Sequence, residues 1–242
     1  MRVLFAGTPA PAIPSLEALA ASGHEVVGVL TRPDARKGRG RTLHPSEVAV
    51  AARELGLPVF TPRTLRDPEA QDLVRSLGAE AAAVVAYGQL VPRALLDLFP
   101  WVNLHFSLLP RWRGAAPVQR AIAAGDAVTG ACAFLLEEGL DTGPVLGRIE
   151  RSIGPEETSG DVLADLATTG APVLVDALDA LAHGTTSPQP QPEEGVTLAP
   201  KVTVEEARVD WAAPTREVVN TIRAFTPAPG AWTLQADGAR LK

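Results

Sequence analysis

Asn103 and His105 stand two residues apart in the short apolar run Trp101-Val102-Asn103-Leu104-His105, and the basic, proline-containing segment Ser107-Leu108-Leu109-Pro110-Arg111-Trp112-Arg113-Gly114 follows closely. On a pleated strand, with its period of two, the pair shares one face and Leu104 points the other way. An imidazole that titrates near neutral pH, beside an amide able to donate to a developing oxyanion, is equipment for acyl-type transfer. Asp141 is the candidate third member, in the Gly/Pro-marked turn Leu140-Asp141-Thr142-Gly143-Pro144. Taken singly, a histidine at a strand end and an Asp-Thr-Gly turn each have ordinary structural readings. Their combination with residues 107–110 singles them out.

The elements that must position these residues are those of an α/β protein. Residues 3–6 and 81–86 are continuous apolar runs, as expected of strands buried on both faces of a parallel sheet, and 25–30 and 57–60 supply further strands. Helices are predicted over 15–20 with Ser15 as N-cap and over 46–55 capped by Ser46. Another follows Asp67-Pro68, with Gly78 as its stop. Beyond the His105 strand come a helix over 117–124, strands over 129–136 and 145–153, and a long helix from 158 to about 182, bent at 169–172 by Pro172. The expected fold is a Rossmann-like open, mostly parallel sheet flanked by helices. In such sheets ligands bind beyond the carboxyl ends of strands, so the loop Tyr87-Gly88-Gln89-Leu90 should sit beside His105. Gly7 is not part of any Gly-x-Gly-x-x-Gly, so a dinucleotide site is not expected.

Residues 31–45 differ from their surroundings: Arg32, Arg36, Lys37, Arg39 and Arg41 face a single acid, Asp34, and are interspersed with glycines. Such a stretch reads as a mobile loop without a packed element. The chain as a whole is acidic, with a net charge of −6, and concentrating positive charge on an insertion points to a polyanionic partner. Residues 184–195, rich in Pro, Gln, Ser and Thr, read as a linker; a helix over 214–225 and one hairpin around Asp237-Gly238 follow, and the chain stops.

At 242 residues the chain has room for a substantial core, burying roughly 70 to 75% of the surface its unfolded form exposes. Its hydrophobic fraction of 46% and charged fraction of 21% suit a globular protein. Cys132 is the single cysteine, in an apolar run, which excludes intramolecular disulfides and reads as a small buried hydrophobe. With four scattered histidines, no metal site is expected. No run approaches the ~18 apolar residues of a membrane span, and the N-terminus enters a strand directly, so a cytoplasmic protein is expected.

The pattern Asn-x-His-x-Ser-Leu-Leu-Pro at 103–110, the Arg-Gly at 113–114 and the Leu-Asp-Thr-Gly at 140–143 together resemble the formyltransferases that use 10-formyltetrahydrofolate, and the likeness runs through nearly the whole chain. The resemblance implies Asn103, His105 and Asp141 as the catalytic residues. It implies contacts to the folate co-substrate from Ser107, Leu108, Leu109 and Pro110 and from Tyr87, Gly88, Gln89 and Leu90. The basic insertion resembles the one that marks family members acting on tRNA, with Arg36, Lys37, Arg39 and Arg41 as phosphate contacts. The chain then divides into a formyltransferase catalytic domain (1–183), a linker (184–200) and the start of a C-terminal tRNA-binding β-barrel domain (201–242), incomplete as it stands. The activity implied is formyl transfer to the amino group of initiator methionyl-tRNA, by a monomer without a metal. Two alternatives stay open: formylation of a small amine such as a sugar nucleotide or glycinamide ribonucleotide, and a catalytically idle RNA-binding remnant.

Overall fold

Strand β1 (Arg2–Gly7) carries the first buried run, Val3 to Ala6, with none of the four exposed to solvent. The computed structural model describes residues 1–37 and 42–242. After β1 come a one-turn 3-10 helix (Ala10–Ala12), α1 (Ile13–Ala20), β2 (Glu25–Leu30), β3 (Ala35–Lys37), β4 (Thr42–His44), α2 (Glu47–Glu54) and β5 (Val59–Phe60). Next are α3 (Pro68–Ser76), β6 (Ala81–Val85), α4 (Arg93–Leu96), β7 (Trp101–His105), β8 (Arg113–Gly114), α5 (Pro117–Ala124), β9 (Val128–Leu135) and β10 (Val145–Ser152). The chain ends with α6 (Ser159–Ala182), β11 (Leu198–Ala199), α7 (Thr215–Ala224), β12 (Thr233–Leu234) and β13 (Arg240–Leu241).

Among the described residues, the main sheet has seven strands in the order β10-β9-β7-β6-β1-β2-β5. Strands β5, β2, β1, β6 and β7 run parallel, and β9 pairs antiparallel to β7. Bonds from Leu135 N to the Pro144 carbonyl and from Ile153 N to the Ala127 carbonyl return β10 antiparallel to β9. The result is the expected mixed, mostly parallel, Rossmann-like sheet flanked by helices. Its parallel strands share one carboxyl edge, and His105 and the chain after Val85 both leave from it.

By contacts in space the chain forms two compact units: residues 1–105, 132–148 and 167–190, and residues 106–131, 149–166 and 191–242. In the first, Leu4, Ala6, Leu30, Leu65, Val84 and Leu95 gather around Tyr87 and Trp101. Trp101 opens β7; its indole donates to the Leu95 carbonyl at 2.9 Å and stacks on Phe99 with ring centroids 5.5 Å apart. Removing so large a buried ring costs about 3 to 5 kcal/mol, so this residue anchors the strand that delivers His105. In the second unit α5 packs on α7, β8 pairs in parallel with β11, and β12 with β13 forms the expected hairpin.

Two expectations are corrected. Ser15 is not an N-cap: α1 begins at Ile13, with Pro14 in its first turn where a missing N–H costs nothing, and Ser15 is buried inside it. Residues 31–45 are not irregular throughout, because β3 and β4 pair antiparallel, Ala35 opposite His44 and Lys37 opposite Thr42. A two-stranded ladder needs no buried face, so the charged composition did not forbid it. Within residues 184–200, Gln189 bridges to Val145 and β11 pairs with β8. Ser46, by contrast, caps α2 as read, accepting from Ala49 N at 3.0 Å.

Candidate active site

Strand β7 places Asn103 and His105 by its alternation. Val102 and Leu104 are 0% and 2% exposed, Asn103 pairs with Val84 on one side and Phe134 on the other, and His105 lies opposite Cys132. The His105 ring meets Phe134 edge-on at 90°, centroids 6.3 Å apart. Edge-to-face contact is a favoured arrangement for aromatic rings at such separations.

Asp141 reaches this end from the loop between β9 and β10. The loop is closed at its base by the Leu135–Pro144 bond and inside by Thr142 Oγ1 donating to Glu137 Oε1 at 2.6 Å. A Cβ on Gly143 would collide with the Leu135 carbonyl oxygen, so only glycine fits the turn. Asp141 itself has φ 51°, in the left-handed region that costs an L-residue about 1–2 kcal/mol and that Asp tolerates better than most. Its Oδ2 lies 3.7 Å from His105 Nδ1, and the two side chains are 13% and 7% exposed. That is ion-pair range, longer than a hydrogen bond between those two atoms. The strained backbone and the little-exposed pair are features that cluster at functional sites.

The loop after β6 opens on a second left-handed residue, Ala86, with φ 47°. Thr8 Oγ1 donates to the Tyr87 carbonyl at 2.8 Å and Arg32 Nη1 to the Gly88 carbonyl at 3.4 Å. The Gln89 amide is occupied in bracing: its oxygen accepts from Leu65 N and its nitrogen donates to the Pro62 carbonyl. Leu90 is left 72% exposed, an apolar surface at the rim of a fixed loop. Tyr87 turns inward; its hydroxyl has no partner among the described residues, and burial pushes the phenol well above its ordinary range against the opposing pull of Arg32.

The other anticipated folate contacts belong to the second unit. Ser107 is fully buried, and its hydroxyl donates to the Arg111 carbonyl at 2.6 Å. Leu108 packs against the backbone of Gly130, where a Cβ would come within 2.6 Å of Leu108 Cδ2. Leu109 is 5% exposed, and the Pro110 carbonyl accepts from Thr197 N. Gly114, with φ 130°, passes so close to the Ala199 carbonyl that a side chain has no room. Of the basic residues, Arg36 stands exposed on β3, the backbone of Lys37 belongs to the same strand, and Arg39 and Arg41 lie outside the described residues. A cavity of about 500 Å³ within the second unit is lined by Ile122, Asp126, Ile153, Arg216, Asn220 and Arg223 among others; among the described residues, none of those anticipated lines it.

Reading the sequence missed Asp126, whose carboxylate gathers the side chains of Arg111 and Trp112. The basic segment after Pro110 was visible, but its counter-charge lies beyond an intervening helix and no local spacing links the two.

Comparison with known proteins identifies the family. A family model described as formyl transferase matches residues 1–178, and one described as formyl transferase, C-terminal domain, matches residues 201–242. A methionyl-tRNA formyltransferase from Acidothermus cellulolyticus is 58% identical over 238 residues, covering 98% of this chain and 74% of the relative. Among solved structures, a 4-N formyltransferase from Francisella tularensis superposes with a TM-score of 0.77 at 16% identity over 99% of this chain and 95% of its own. HypX from Aquifex aeolicus, in complex with tetrahydrofolic acid, superposes with a TM-score of 0.69 at 17% identity over 97% of this chain and 36% of its own. At such identities these two share the fold. The relative at 58% identity and the match of both models carry the closer relationship: the chain belongs to the formyl transferase family, in its methionyl-tRNA formyltransferase branch.

Proposed function

We infer that this chain transfers the formyl group of 10-formyltetrahydrofolate to the α-amino group of the methionyl residue on initiator tRNA. The donor supplies an activated formyl carbonyl; the chain's own residues supply position, charge and proton traffic. A free α-amine has a pKa near 8, so an appreciable neutral fraction exists at pH 7 and no strong base is required. As the amine adds, the carbonyl oxygen gains negative charge, and the Asn103 amide donates to it. One such preorganised donor is typically worth about 3 to 4 kcal/mol. His105 takes the proton the amine sheds or returns one to the departing nitrogen, and Asp141 orients its ring.

The observation that carries this reading is the approach of Asp141 Oδ2 to 3.7 Å from His105 Nδ1, at the sheet end where Asn103 shares the strand. The folate donor fits what surrounds it: Leu90 offers apolar surface beside the braced backbone of Tyr87, Gly88 and Gln89. Residues 107–110 supply the remaining contacts. Arg36, Lys37, Arg39 and Arg41 take the tRNA phosphates. Residues 1–183 act as the catalytic domain, 184–200 as the connection and 201–242 as part of the tRNA-binding domain, in a monomer working in the cytoplasm.

The test supplies labelled 10-formyltetrahydrofolate with charged initiator methionyl-tRNA, free methionine and small amines, including sugar nucleotides, in parallel. Label on the tRNA alone is expected. Label on an amino sugar nucleotide instead overturns the acceptor, and label on nothing overturns the enzymatic reading.

A further inference from the structure

We propose that Asp126 is a positioning residue for the formyl donor: through Arg111 and Trp112 it holds the 107–111 turn in the shape that grips the folate. The proposal rests on the assignment of residues 107–110 to that donor.

Three hydrogen bonds converge on this one carboxylate. Arg111 donates from Nε at 2.9 Å and from Nη2 at 2.6 Å, one to each oxygen, and the Trp112 indole nitrogen donates at 2.8 Å. A planar guanidinium matched to both carboxylate oxygens fixes orientation as well as distance. The acceptor is itself firmly seated. Asp126 follows the Gly125 cap of α5, its backbone N–H bonds the Ala121 carbonyl at 3.0 Å, and its side chain is only 16% exposed.

What the carboxylate holds is a backbone that would not choose its shape alone. Trp112 has φ 64°, a left-handed conformation that bulky residues avoid and that persists only where the surroundings over-determine it. Two contacts do so here, the indole bond to Asp126 and a 2.8 Å bond from Trp112 N to Thr197 Oγ1. The Arg111 guanidinium also lies over the Trp112 ring, 4.7 Å from its centroid. Between them these contacts aim the Arg111 carbonyl at the buried Ser107 hydroxyl, while Arg111 N bonds the Leu108 carbonyl at 3.0 Å. The chain of support runs from Asp126 to residues 111 and 112, then to Ser107 and Leu108.

Exposure separates positioning from stability. Arg111 is 45% exposed, and a pair with one partner in solvent contributes little to global stability. Losing it should loosen the turn without unfolding the chain. The oxygen pattern also matters: an amide at this position would present an N–H to the donors of Arg111 or Trp112 in place of an acceptor.

The experiment compares the full chain with Asp126→Ala, Asp126→Asn, Trp112→Phe, Arg111→Met and the Asp126→Ala/Arg111→Met double variant. For each, the readouts are binding of 5-formyltetrahydrofolate, an unreactive isomer of the donor, KM for donor and for tRNA, kcat with both saturating, and melting temperature. Asp126→Ala is expected to weaken analogue binding and raise the donor KM about tenfold, with kcat and the tRNA KM within about twofold. Trp112→Phe, which deletes one N–H and keeps the ring, should shift the same two quantities by a smaller factor. The double variant should be scarcely worse than Asp126→Ala alone, as expected of residues acting in one network. Unchanged analogue affinity in Asp126→Ala overturns the proposal, as does a lower fraction of binding-competent protein with unchanged affinity in what remains. A wild-type chain that binds no analogue overturns the donor assignment and this proposal together; wild-type binding matched by every variant overturns this proposal alone.

Discussion

Asp141 meets His105 from a left-handed backbone position, φ 51°, in a loop whose neighbouring Gly143 has no room for a side chain. The carboxylate is therefore placed by its own strained residue and by the turn beneath it, and the imidazole by a central strand. Two rigid supports set their 3.7 Å separation.

Substitutions at position 141 separate charge from conformation. Asp141→Asn keeps the size and the tolerance of φ 51° while removing the charge; in single-turnover reactions with saturating substrates it should slow transfer by about 10²- to 10⁴-fold, with little change in melting temperature. Asp141→Gly should lose as much rate yet not melt earlier, because relief of about 1–2 kcal/mol of backbone strain offsets the lost contacts. A wild-type rate in Asp141→Asn would remove the carboxylate from the mechanism.

The basic insertion makes its own signature in salt. Replacing Arg36, Lys37, Arg39 and Arg41 by Gln should weaken tRNA binding and reduce the slope of log K against log salt concentration by up to about 3, with affinity for the folate analogue unchanged. Filter binding over a range of salt concentrations measures it. A slope equal to that of the wild type would make the insertion a bystander.

A separate pH dependence belongs to His24, whose side chain is 3% exposed and whose Nε2 lies 3.2 Å from Asp179 Oδ1 and makes no hydrogen bond among the described residues. Burial lowers its pKa from the ordinary 6.5, Asp179 opposes that, and the amino terminus and His183 add to the lowering. The unfolded chain thus takes up this proton at a higher pH than the folded one. The contribution to stability is complete above about pH 6.5 and declines as pH falls through that value towards the folded pKa. Melting temperature should drop between about pH 7.5 and pH 5.5, and His24→Phe should flatten the drop. An unaltered profile in that variant would place the acid sensitivity elsewhere.

Much of the architecture was legible because local signals agreed with one another. The apolar runs around Phe5 and Ala83 become central strands, Ser46 caps its helix, and Asn103 and His105 take the shared face their spacing implies. Ser15 misled because Pro14 is as good a helix opener as serine is a cap, and Pro14 lies nearer the start. The bracing by Gln89 was hidden, since its partners Pro62 and Leu65 lie more than 20 residues away in sequence, and so was the inward turn of Tyr87, which packs in a core that draws on Leu4, Leu30 and Leu65 from distant segments. The Asp126 network was hidden although Arg111 and Trp112 lie only 15 and 14 residues away. Pairing across an intervening helix leaves no period or spacing in the chain.

The stretch from Gln191 to Thr197 is tied down at both ends, Gln191 Oε1 accepting from the Arg113 guanidinium at 2.7 Å and Thr197 bonding residues 112 and 113. Between these ties, Glu193 and Glu194 are exposed and Gly195 turns with φ 78°. Because lengthening a loop between fixed ends costs only about 0.6 kcal/mol for each doubling, a reporter peptide spliced in at residues 193–194 would be carried at little thermodynamic cost, whereas the same insertion one residue after Thr197 would prise β11 from β8.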